Sequence, residues 1–173
     1  MPQYSNALSL SRKVLRALIA LNLVMGALIL ALLVASLVAR TWVMTALGVR
    51  PTSDNGSLVL GMRSIMLIGI AAVPLTHVVL SRLLAIVETV RAGDPFVAEN
   101  AVRLQRIAWS VLGLELMHVA VMTIATSVST DTTPIDIKWR LNVTRWVTVL
   151  LLFVLARVFE HGTRMRDDLE GTV

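Results

Sequence analysis

The sequence predicts an all-α, polytopic membrane protein, a four-helix transmembrane bundle with both chain ends on the cytoplasmic side. Three observations predict it: apolar runs long enough to cross a bilayer, a shortage of charge, and an uneven split of Lys and Arg between alternate loops. The 173 residues are 56% apolar and 16% charged, with a mean hydropathy of +0.77. A soluble domain averages about 45–50% apolar and about a quarter charged, so this chain lacks the polar residues to coat a water-facing shell.

The first span, residues 17–38, carries no charge. At about 1.5 Å per residue it crosses a hydrocarbon core of about 30 Å. Arg12, Lys13 and Arg16 precede it as in a signal peptide, but a cleavable apolar region runs to only about 7–15 residues, so the segment is expected to stay attached. The second span, 64–81, contains Pro74 and His77, which a packed membrane helix tolerates, and a kink is expected near the proline. The third, 107–128, contains Glu115 and His118. The fourth, 141–159, is the shortest in apolar content: only the 11 residues Trp146 to Ala156 separate Arg145 from Arg157. A full crossing there requires both arginines to extend their charges toward the interfaces.

Orientation follows from the basic residues. Ten (Arg12, Lys13, Arg16, Arg82, Arg91, Arg103, Arg106, Arg157, Arg164 and Arg166) fall on the side of the two ends and the central loop 82–106, and six fall on the other side. Cytoplasmic loops carry the excess, which places both termini inside. Trp42, Trp109, Trp139 and Trp146 fall near span ends, where amphipathic rings prefer to sit. The net charge of +5 then reflects orientation and contact with anionic lipid rather than direct nucleic-acid binding.

The chain has no cysteine, which excludes disulfides, thiolate metal sites and a cysteine nucleophile. No nucleophile with an adjacent base, phosphate loop or carboxylate pair is visible, so a non-enzymatic protein without cofactor or metal is expected. The conspicuous groups are Glu115 and His118, three apart on one helix face. A charge at mid-bilayer costs about 2.5–3.5 kcal/mol on insertion scales, so both are expected to face the bundle interior with His77 as partner. A structural hydrogen bond between helices is favoured over a proton relay, transport or cofactor site built on the three. Ala27, Ala31 and Ala35 recur every four residues, a spacing for close helix contact within the monomer, with a homo-oligomer seam as the lesser alternative.

The cytoplasmic side carries the more distinctive text. Gly93-Asp94-Pro95-Phe96 reads as a turn in which Asp94 caps a new helix with Pro95 at its first position, leading through Asn100 into the third span. From Leu155 to Leu169 the chain places Val158, Met165 and Leu169 on one side and mixes charges among the rest, so that the fourth helix is expected to emerge as an amphipathic segment, residues 160–173, that lies on a membrane or offers a docking face.

These two segments resemble a bacterial family of small four-span membrane proteins, the domain of unknown function numbered two-nine-seven-five. The likeness rests on Gly93-Asp94-Pro95-Phe96 with Asn100 and Leu104, and on the ending from Val158-Phe159-Glu160-His161-Gly162-Thr163-Arg164 to Val173. Met165 stands at a position where the family's usual C-terminal segment has a leucine. The resemblance implies a bacterial cytoplasmic membrane location. Because such genes often neighbour a small Cro/repressor-type helix-turn-helix regulator, it also implies that regulator as a cytoplasmic partner. The residues it nominates for docking are Gly93, Asp94, Pro95, Phe96, Asn100, Phe159, Gly162, Arg164 and Leu169.

Overall fold

A computed structural model describes residues 2–39, 41–42, 45, 56–94, 96–128 and 143–170, with side chains for 8–39, 41–42, 45, 56–94, 96–128 and 143–165. Four helices account for almost all of them: α1 (Pro2–Val38), α2 (Gly56–Arg91), α3 (Ala98–Val128) and α4 (Val143–Glu170). No strand occurs among the described residues.

α1, α2 and α3 are each long and apolar enough to cross a membrane, and none of the most apolar window of α1 is buried by the rest of the chain. Leu21, Leu28 and Leu37 of α1 and Leu60 and Leu67 of α2 are all exposed. Water would not tolerate so continuous an apolar surface, whereas lipid tails match it. α4 is not among the helices of crossing length and composition, because Arg145, Arg157 and Glu160 interrupt its apolar run.

The chain forms two compact units: Met1–Asn22, Leu75–Glu115 and Asn142–Val173 make the first, and Leu23–Pro74 with Leu116–Leu141 the second. In the second, Leu58 and Val59 of α2 bury against Met62 and Val128. A methyl group on Gly61 would lie 2.5 Å from Cγ2 of Val128, so only glycine permits this approach of α2 to α3. Arg63 donates from Nε to the Ser36 hydroxyl at 3.1 Å and from its terminal nitrogen to the Ser36 carbonyl. It therefore satisfies a carbonyl in the last turn of α1, where helices leave such groups unpaired.

Along α1, Gly26, Ile29, Leu33, Ala35 and Ser36 are buried or half-buried while Ala27 and Ala31 are exposed. The contact stripe thus runs through Gly26, Ile29, Leu33 and Ser36, at alternating steps of three and four, and not along the alanine repeat. α2 continues as helix through Pro74 to Arg91.

In the first unit, Leu104 and Ile107 of α3 bury against Ala156 of α4, with Val79, Leu83 and Ile86 of α2 packed on them. Trp109 meets Phe153 edge to face at 5.2 Å, Phe96 stacks on Phe159 at 5.5 Å, and Arg12 of α1 pairs with Glu88 of α2 at 3.4 Å. As numbers rise along α3, their partners on α4 fall, so these two helices run antiparallel here. The unit gathers the start of α1, the α2–α3 turn and the end of α4.

Candidate functional site

The α2–α3 turn is built from its backbone outward. Gly93 has φ of +91°, the left-handed conformation that side chains other than glycine rarely adopt. The Asp94 N–H donates to the Thr89 carbonyl at 3.2 Å and the Gly93 N–H to the Val90 carbonyl at 3.2 Å. This pair of bonds is a Schellman C-cap, so Gly93 ends α2. α3 begins only at Ala98, which corrects the expectation that Asp94 caps a helix starting at Pro95; Pro95 itself lies outside the described residues.

Asn100 is fully buried. Its side-chain amide donates to the Thr89 hydroxyl at 2.7 Å, which in turn donates to the Ile86 carbonyl at 2.8 Å. Arg103 donates to the side-chain oxygen Oδ1 of Asn100 at 2.6 Å. Asn100 therefore braces the end of α2 against the start of α3 from inside and offers no side-chain surface to a partner. Phe96 is half-exposed, and one of its faces is covered by Phe159.

Two grooves flank the last turns of α4. One, of about 490 Å³, is lined by Phe96, Val158, Phe159, Gly162 and Met165, with Arg157 and His161 at its margin. A Cβ added at Gly162 would meet nothing within 4 Å. The other, of about 570 Å³, lies between the start of α3 and α4. There Arg157 and Arg164 both donate to Glu160 at 2.7 Å, and this groove, not the first, holds Arg164. Leu169 is helical, and its side chain lies outside the described set.

The intramembrane polar groups are arranged differently from the expected cluster. Glu115 is largely buried and faces Arg145 of α4 at 3.8 Å, so its charged partner is an arginine rather than His77. Arg145 lies at the start of α4 with its side chain part-exposed beside α3. His77 makes no hydrogen bond to Glu115, and its buried Nδ1 has no partner among the described residues. His118 is exposed on α3 rather than turned inward. Among the described residues no group of three His, Asp or Glu could hold a metal. Sequence reasoning missed Arg145 as a partner because its position between Asn142 and Trp146 suits an interfacial residue equally well.

A family model described as a protein of unknown function, DUF2975, matches residues 62–173. The chain belongs to this family. The DUF2975 match takes in the α2–α3 turn, the Glu115–Arg145 pair and both α4 grooves, and begins after α1 and the first turns of α2. No match was found among curated proteins or among solved structures.

Proposed function

We propose that this DUF2975 protein is a non-enzymatic component of the bacterial cytoplasmic membrane that crosses it four times and holds a small helix-turn-helix regulator on its cytoplasmic face. The observation that carries the reading is the first unit, where Arg12 of α1 pairs with Glu88 and Phe159 of α4 stacks on Phe96, with an open apolar groove beside Phe96 along the last turns of α4. The start of α1 and the last turns of α4 both lying beside the α2–α3 turn supports an even number of crossings. The basic excess in these same segments supports a cytoplasmic location for that side.

The fourth crossing is supported by the way α4 disposes of its charges. Arg145 faces Glu115 at 3.8 Å, and Arg157 pairs with Glu160, which it shares with Arg164. Between them Trp146, Val147, Leu150, Leu151, Val154 and Leu155 are all exposed, as lipid contact requires. Val143 to Arg157 spans about 21 Å at 1.5 Å per residue.

The Phe96–Phe159–Met165 groove suits the apolar face of an amphipathic partner helix. Gly162→Trp tests it, since this residue lines the groove and a Cβ there meets nothing within 4 Å. In cells carrying the unaltered protein, a fluorescent fusion of the neighbouring regulator is expected at the membrane, and in Gly162→Trp cells in the cytosol. A cytosolic distribution in both would reject the tether.

A second reading, a small proton-relay, transport or cofactor protein using His77, Glu115 and His118, is favoured by the buried unpartnered Nδ1 of His77. Optical spectra and metal analysis of the purified protein, with a Glu115→Gln, His118→Gln double variant, test it. Absence of haem and metal together with normal behaviour of the variant would remove it.

A further inference from the structure

We propose that the groove between the start of α3 and the end of α4 binds one anionic phospholipid. The inference rests on the membrane setting and not on the tether. The groove changes character along its length. At one end its walls are Phe153, Val154 and Ala156 of α4, and further along α4 they become Arg157, Glu160, Thr163 and Arg164. From Phe153 to Arg164 is about 16 Å at 1.5 Å per residue. An amphiphile has this same order, acyl chain and then headgroup.

Charge selects the headgroup. Glu160 accepts from both arginines, so the triad carries one net positive charge. Both guanidinium groups remain largely exposed, and each has five N–H donors, most of which are left for phosphate oxygens. A zwitterionic lipid would leave the net charge uncompensated, whereas an anionic one offsets it. The small residues Ala98 and Ala101 of α3 keep the slot open beside Val102, and the volume of about 570 Å³ accommodates a headgroup with the first part of an acyl chain.

The test uses the full chain, purified in a neutral detergent, stripped of lipid and titrated with phosphatidylglycerol or phosphatidylcholine of matched acyl chains. Bound lipid is counted by native mass spectrometry. Phosphatidylglycerol is expected to bind about fivefold more tightly, the size of one basic residue acting on an anionic lipid. Glu160→Gln frees the second positive charge and is expected to raise the preference about fivefold again. The Arg157→Gln, Arg164→Gln double variant is expected to abolish it. Val102→Trp, which fills the slot without touching the charges, is expected to remove the tightly held lipid.

Equal binding of the two lipids by the unaltered protein would overturn the proposal. So would a preference unmoved by both Glu160→Gln and the double arginine variant, or lipid retention unaffected by Val102→Trp. Displacement of the lipid by inorganic phosphate at millimolar concentration would assign the site to a free anion. A polypeptide that co-purifies and is lost in Val102→Trp would assign it to a protein partner. Should the arginine variant fail to fold, Glu160→Gln still decides by the sign of its effect. A chain that stays dispersed without detergent would instead refute the membrane setting.

Discussion

Glu115 of α3 and Arg145 of α4 face each other at 3.8 Å, some twelve residues of α4, or about 18 Å, from the arginine at the other end of its apolar run. Each is the charged partner the other has in a region where lone charges are costly. The pair fixes the register of α4 on α3, in the same antiparallel order as the Trp109–Phe153 contact.

Removing one member strands the other. Glu115→Gln or Arg145→Gln alone is therefore expected to lower stability in detergent by about 1–2 kcal/mol, and the double variant to recover about 1 kcal/mol of the summed loss. Thermal unfolding of the four proteins in one detergent measures this coupling. Strict additivity would show that the two residues do not interact.

The turn supplies a second prediction. Asn100→Leu leaves the Thr89 hydroxyl and the Arg103 guanidinium without the partner seen here and is expected to cost about 1–3 kcal/mol. Gly93→Val forces a β-branched residue into positive φ and is expected to cost about 1–2 kcal/mol. Hydrogen exchange should show both effects as faster opening at the end of α2.

These positions show how much the sequence could tell. The helical, membrane-spanning character was legible because apolar runs of 18 residues or more have few other uses. The first unit's turn was half legible. Gly93 signalled a helix boundary, but Asp94-Pro95 fits a helix start as well as the stretch after a C-cap, and the bonds to Thr89 and Val90 that decide it lie in the preceding helix. The stripe on α1 was hidden because alanine is both common and small, whereas Gly26 and Ser36 at the three-and-four spacing were the truer signal. The Glu115–Arg145 pair was not legible, because pairing across helices depends on register, which periodicity does not supply.

Close packing of α2 on α3 gives a third prediction. Gly61→Leu brings a side chain onto Val128 and is expected to destabilise by about 1–3 kcal/mol through overpacking. Val128→Ala should recover part of that loss, which a melting series of the two single variants and the double variant would read out. No recovery would mean that the strain lies elsewhere.

His118 stands apart from the inward-facing groups. Exposed on α3, it is expected to accept replacement by Leu with a change of less than about 0.5 kcal/mol, as surface positions do. A large loss of stability, or loss of a dimer on a sizing column, would show that a second chain covers it.

The central claim is that α4 completes a fourth crossing, and the location of the C-terminus tests it most directly. Reporters active only in the cytoplasm, fused one at a time before Pro2 and after Val173 of the membrane-inserted protein, are both expected to be active. An active reporter at the start and an inactive one at the end would mean an odd number of crossings and would contradict the account.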